Sequence, residues 1–132
     1  MTQVREAMVS EPLALEASAT AREAGEHLAV PDVRAVLVCE EGRLVGVVTR
    51  KTLVREVVAA GRDPGSTPLG EIAEPPVFTL PAEMDVDDAF RALEEHDLER
   101  VPVVDGERLV GVLARVVLQR RLAEDDLPDD DG

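Results

Sequence analysis

The chain has 132 residues, enough for one domain or for two small half-domains sharing a core, and 45% of them are apolar, which excludes global disorder. Lys and Arg number 14 against 28 Asp and Glu, and the net charge of −14 repels a phosphate backbone, so no nucleic-acid partner is expected. No apolar run reaches the roughly 18 residues of a membrane span, Arg5 and Glu6 interrupt any apolar leader, and the single cysteine, Cys39, supports neither a disulfide framework nor a Cys-cluster zinc site; a cytoplasmic chain with no membrane partner is expected.

Pro12 to Leu15 is a short apolar run that predicts a strand. Thr20-Ala21-Arg22-Glu23 has the form of a capping box and predicts a helix start. Val33 to Cys39 and Arg43 to Val48 are β-branched and apolar, with Glu41-Gly42 between them as a hairpin turn. A helix is predicted from about Arg50 to Ala60, then a linker rich in turn formers over 61–68. Val77 to Leu80 predicts a second short strand, and Asp85 an N-cap. Val86, Ala89, Phe90 and Leu93 follow at the spacing of one helical face. Arg100 to Val104 and Arg108 to Leu113 flank Asp105-Gly106 as a second hairpin, and a helix from Arg115 to about Ala123 closes the pattern. Residues 124–132 hold six acids in nine positions and read as a solvated, disordered tail.

These elements repeat. Arg43-Leu44-Val45-Gly46-Val47 recurs as Arg108-Leu109-Val110-Gly111-Val112, an offset of 65 residues. The same offset pairs Leu15 with Leu80, Ala24 with Ala89, Leu28 with Leu93, Val38 with Val103 and Arg50 with Arg115, without a gap from Val4/Leu69 to Arg55/Arg120. The chain is two copies of one strand-helix-strand-strand-helix unit, too small to cover its sheet alone, so the copies should pack together.

The duplicated unit, with Val101-Pro102-Val103-Val104-Asp105-Gly106, Leu109-Val110-Gly111-Val112 and Leu44-Val45-Gly46-Val47-Val48-Thr49, resembles the cystathionine β-synthase (CBS) domain pair, or Bateman module. The resemblance implies an α/β (α+β) fold of tandem β-α-β-β-α repeats packed as one pseudo-twofold module, with repeat 1 at 4–60 and repeat 2 at 69–123. It implies a stand-alone regulatory module and no enzyme, with no catalytic residues, no cofactor, and AMP, ATP or S-adenosylmethionine as regulatory ligand in clefts between the copies. The family pattern Gly-apolar-x-Ser/Thr-x-x-Asp places a hydroxyl against phosphate and a carboxylate against ribose. Here the hydroxyl position of repeat 1 is Thr49 but the carboxylate position is Thr52, and in repeat 2 the two are Ala114 and Val117. The implied ligand residues are therefore Arg34, Thr49, Arg50, Lys51 and Thr52, with the repeat-2 site degenerate.

Each of these has a plainer role beside it. Thr49 is a good N-cap, Arg50, Lys51 and Arg55 suit a solvated helix face, Arg34 and Arg100 are ordinary strand-start charges, and Thr52 suits a core or surface. Cys39 reads as a buried apolar cysteine, and His27 and His96 lack a second ligand at metal spacing, so no metal site is expected. Leu53, Val54, Val57, Val58, Val116, Leu118 and Leu122 supply more apolar helix surface than two packed copies need, which predicts a homodimer, with a separate effector protein as a further partner. A purely structural, dimerising module with plugged clefts stands as the alternative to a ligand sensor.

Overall fold

Two stretches of chain gather around cores of their own in the structure, a computed structural model that describes residues 2–10, 12–76 and 78–125. In chain order the elements are β1 (Val9–Ser10), β2 (Ala14–Glu16), α1 (Ala21–Leu28), β3 (Val36–Glu40), β4 (Arg43–Val48), α2 (Arg50–Leu53), α3 (Leu69–Ile72), β5 (Leu80–Pro81), α4 (Val86–Glu95), β6 (Arg100–Asp105), β7 (Arg108–Ala114) and α5 (Arg115–Asp125). The class is mixed α/β, built from the expected tandem units. Among the described residues no helix is long and apolar enough to cross a membrane. The acidic tail expected over 124–132 lies outside the described residues from Asp126 onward, as does Val77 of the expected strand; Glu124 and Asp125 belong to the last turn of α5.

The repeat-1 unit is Leu13–Val77. In it β2 runs parallel to β3, and β3 antiparallel to β4. The Thr20 capping box opens α1 as its sequence predicts: Glu23 N donates to Thr20 Oγ1 at 3.2 Å and Thr20 N to Glu23 Oε2 at 3.0 Å. Ala21, Ala24 and Leu28 face the sheet at helical spacing, against Val36, Val38 and Val48. Glu41 and Gly42 both have positive φ (53° and 83°), the two-residue turn whose twist suits a hairpin.

The repeat-2 unit is Met1–Pro12 with Phe78–Gly132. Its pairings are those of repeat 1 moved along by the sequence offset: Val36↔Val48 becomes Val101↔Leu113, and Leu15↔Val38 becomes Leu80↔Val103. The bulge between Val38 and Cys39 recurs between Val103 and Val104. The second hairpin loop is Gly106-Glu107, closed by Asp105↔Arg108, and not Asp105-Gly106 as expected; positive φ at Gly106 (66°) puts the flexible residue first in the loop.

A short leader segment completes each unit. In the repeat-1 unit, residues 67–74 dock on the sheet and α1. Leu69 N donates to Ala19 O at 2.8 Å, Gly70 N to Ala17 O at 2.9 Å, and Ala21 N to Thr67 O at 2.8 Å, while Val47 and Glu74 exchange backbone hydrogen bonds. In the repeat-2 unit, residues 2–10 make the equivalent bonds: Val4 N to Met84 O at 2.8 Å, Arg5 N to Ala82 O at 3.0 Å, Val86 N to Thr2 O at 2.9 Å, and β1 against β7. Each folded unit thus closes with the leader of the other sequence repeat. The close approach needs a glycine at the contact. A Cβ on Gly46 would sit 2.6 Å from Ala73 Cβ and 3.0 Å from Glu74 O, and one on Gly111 would sit 2.7 Å from Val9 O.

The helix expected from Arg50 to Ala60 changes pitch. It is α over Arg50–Leu53 and a π turn over Val54–Val58, with Ala59 N donating to Val54 O at 2.8 Å and Arg62 N to Val57 O at 2.9 Å. Ion pairs of Arg55 with Glu74 and of Arg62 with Glu71 (2.5 Å) tie this turn to the docked leader. The expected apolar helix surface is smaller than predicted. Val57 and Leu118 are core residues, and Leu53 and Leu122 pack against the cores, because helical spacing turns them inward. Val54 (59% exposed), Val58 (72%) and Val116 (58%) remain on the surface.

Candidate functional site

All five expected ligand residues belong to the repeat-1 unit, in the loop before β3 and at the start of α2. Thr49 leaves β4 in an extended conformation (φ −120°, ψ 175°) and caps α2. Its Oγ1 accepts from Thr52 N at 3.3 Å. Thr52 answers: its Oγ1 accepts from Thr49 N at 3.1 Å, and the two hydroxyls share a hydrogen at 3.1 Å. This is a capping box with Thr in the place usually held by Glu or Gln. Thr52 is fully buried. The oxygens of both hydroxyls accept a backbone N–H of the helix start, and one O–H hydrogen of the pair is left over.

Arg50 is likewise occupied. Its Nη2 donates to Val33 O at 2.8 Å and Val30 O at 2.9 Å, with Pro31 O at 3.4 Å. The guanidinium clasps the turn that leads into β3. Arg34 follows Val33 in the chain and Lys51 follows Arg50, so the two stand next in sequence to the ends of that clasp. Both are exposed, and among the described residues neither has a hydrogen bond or ion pair.

The corresponding corner of the repeat-2 unit keeps the clasp with a different set of charges around it, and Arg100 there is exposed and without a partner among the described residues. Arg115, the counterpart of Arg50, approaches Asp97 at 3.6 Å and Glu99 at 3.9 Å, and its backbone N donates to Glu99 O at 2.7 Å. The offset places Glu99 where repeat 1 has Arg34, and Val116 where it has Lys51. The repeat offset thus aligns two cations of one unit with a paired carboxylate and a valine of the other. The sequence carried this contrast, but it emerges only when Arg50 and Arg115 are seen as structural clasps and set aside.

A cavity of about 550 Å³ in the repeat-1 unit lies elsewhere, lined by residues that include Glu16, Thr20, Glu23 and Cys39 and none of the five expected ligand residues. Burial pushes the Cys39 thiol above its ordinary range, and the Glu16 carboxylate adds to the shift. His96 Nδ1 donates to Ala92 O (3.0 Å), and its ring packs on Phe78 with centroids 4.4 Å apart. Among the described residues no group of three or more His, Cys, Asp and Glu side chains is placed to hold a metal ion.

The profile of the CBS domain matches residues 4–59 and again 69–123. Hypoxic response protein 1 of Mycobacterium tuberculosis is 30% identical over 125 residues, which cover 94% of this chain and 87% of that protein. Its crystal structure, described as holding two coordinated zinc ions, superposes with a TM-score of 0.76 at 29% identity, over 92% of this chain and 99% of that one. CBSX2 in complex with AMP shares the fold at a TM-score of 0.74 and 23% identity, over 96% and 100% of the two chains. A hexameric CBS-CP12 protein from bloom-forming cyanobacteria shares it at 0.64 and 24%, over 98% and 76%.

Proposed function

The chain belongs to the CBS domain family and carries the domain twice, and on that premise we propose that it is a regulatory module, with no enzymatic activity, that takes one small anionic, adenosine-containing ligand per chain at the Arg34–Lys51 corner of the repeat-1 unit. The observation that carries this reading is the pair of unpaired, exposed cations there, set against Glu99 and Val116 in the other unit. Arg100, Arg108 and Arg120 of the repeat-2 unit are also exposed cations without partners among the described residues, so the reading rests on two such cations standing beside one clasp in a chain of net charge −14. The same pair favours AMP or ATP over S-adenosylmethionine, whose sulfonium adds positive charge. The module works as a homodimer joined through the exposed Val54 and Val58 and passes ligand occupancy to a separate effector protein. The test is native mass spectrometry of protein purified without added ligand, followed by calorimetric titration with AMP and ATP. One site per chain supports the reading; two equivalent sites, or none, refute it. A purely structural role is the second reading, favoured by the commitment of Thr49, Arg50 and Thr52 to the fold, and it predicts the result with no site.

A further inference from the structure

We infer that the free edge of β2, with the cavity beside it, is a docking surface for an extended, basic segment of a partner protein, and this surface does not depend on the ligand reading above. Among the described residues β2 pairs with β3 alone. Leu37 N donates to Leu13 O at 3.2 Å and Ala17 N to Cys39 O at 2.8 Å, and the strand period of two puts the backbone of Leu15 on the same side. The backbone of Ala14 and Glu16 therefore points away from β3. Glu16 O accepts from Ala19 N at 2.9 Å in the turn toward α1. The N–H and C=O of Ala14 and the N–H of Glu16 have no hydrogen bond among the described residues. Unpaired groups in such a row are a template for one more strand. Three of them are too few to hold a strand by themselves, so the side chains around them decide which strand is taken.

Those side chains set the charge of the partner. The cavity of about 550 Å³ borders this edge, and its lining includes Ala14, Glu16, Ser18, Thr20, Glu23 and Cys39. Among the described residues no basic side chain lines it. Glu16 is exposed and has no ion pair or side-chain hydrogen bond among the described residues. Glu23 accepts from Thr20 N through Oε2 at 3.0 Å and keeps Oε1 for another donor. Alternate residues of a docked strand face the same way, so one lysine or arginine enters the cavity while its chain neighbours point elsewhere. A second copy of this chain, with its net charge of −14, is repelled from two carboxylates, whereas a basic segment is drawn to them. Backbone hydrogen bonds then hold the segment, and Glu16 and Glu23 select it.

The experiment titrates the full chain into a fluorescein-labelled Lys-Val-Lys-Val-Lys-Val peptide and follows anisotropy at an ionic strength of about 0.15 M. A second peptide has glutamate in place of lysine, and a third carries a methyl group on every backbone nitrogen, which keeps the charge and removes the donors. The lysine peptide is expected to bind once per chain, and each of the other two at least about 10-fold more weakly. Glu16→Gln with Glu23→Gln should also weaken the lysine peptide by at least about 10-fold, and glutamine at 23 preserves the capping box of α1. Amide hydrogen exchange at Ala14 and Glu16 should be fast in the free chain and slowed by the lysine peptide. A methylated peptide that binds within about 3-fold of its parent shows attraction by charge alone and overturns the inference. So does a wild-type chain that binds no peptide, or whose Ala14 and Glu16 amides exchange slowly without one, and neither result needs the variant to fold. Unchanged affinity in a folded glutamine variant places the peptide elsewhere and overturns it too. Nucleotide titrations are untouched by any of these results, so the ligand reading stands or falls separately.

Discussion

Replacing Thr52 with valine isolates the claim that this residue belongs to the helix start. The two side chains have nearly the same shape and the same branching at Cβ, so the fully buried pocket stays filled. The change removes the acceptor that takes Thr49 N at 3.1 Å and the partner of Thr49 Oγ1 at 3.1 Å. Thr49 Oγ1 keeps its bond from Thr52 N, so the cap itself survives. A part-buried N–H left without a partner costs about 1–3 kcal/mol. A methyl group in place of the hydroxyl returns up to about 0.8 kcal/mol by burial. The net expected loss is about 0.2–2 kcal/mol, the difference between those two terms. The chain has no Trp or Tyr, so urea unfolding is followed by far-ultraviolet circular dichroism, with the slope compared to confirm an unchanged unfolding transition. Thr52→Val as stable as wild type, or more so, would show that the hydroxyl is not holding the helix start, and would return Thr52 to the set of residues free for a ligand.

Gly46→Ala drives a Cβ against Ala73 and the Glu74 carbonyl, and should lose about 1–3 kcal/mol together with the Val47–Glu74 pairing; a urea midpoint equal to wild type would contradict the docking of the 67–74 leader. Arg50→Lys keeps the charge but not the fork that spans the Val30 and Val33 carbonyls, so amide hydrogen exchange should speed up over residues 30–35, and exchange as slow as in wild type argues against the clasp. The Cys39 thiol is raised by burial and then by Glu16, so the unfolded chain gives up that proton first. Its contribution to stability is whole below the ordinary thiol pKa of about 8.5–9 and declines as pH rises from there toward the folded value. Cys39→Val should lack that decline between about pH 8 and pH 10, and equal losses in both proteins would refute the assignment.

The offset between Gly46 and Gly111 made the tandem architecture legible, because register, bulge and hairpin all follow the alignment of the repeats. The docking of the leaders was not legible. Val4, Ala7 and Met8, and Leu69, Ile72 and Ala73, have helical spacing and enter or pack on the cores, but the unit that each leader joins is set by backbone hydrogen bonds, which leave no trace in side-chain identity. Their sequence signal lay on the partner strand instead, in a glycine standing inside an apolar run at 46 and again at 111. The homodimer surface was overdrawn for the opposite reason: Val57 and Leu118 are apolar on helices, and apolarity alone does not say which face turns inward. At the candidate site the sequence could not divide ligand residues from residues of the fold. Thr49, Arg50 and Thr52 have residue types that serve a ligand or the fold equally well, and only the bonds to Thr52 N, Val33 O and Thr49 N show where their polar atoms are spent.

The charge contrast between the two units is tested most directly by giving repeat 1 the residues of repeat 2. The variant Arg34→Glu with Lys51→Val alters two exposed side chains that hold nothing in the fold, so its urea midpoint should match wild type. Calorimetric titration with ATP should then show one site per chain in the wild type and an affinity lowered by at least about 30-fold in the variant, since two charge-assisted contacts are lost and a repelling carboxylate is gained. ATP binding with unchanged affinity in a folded variant would contradict the assignment of the ligand to this corner.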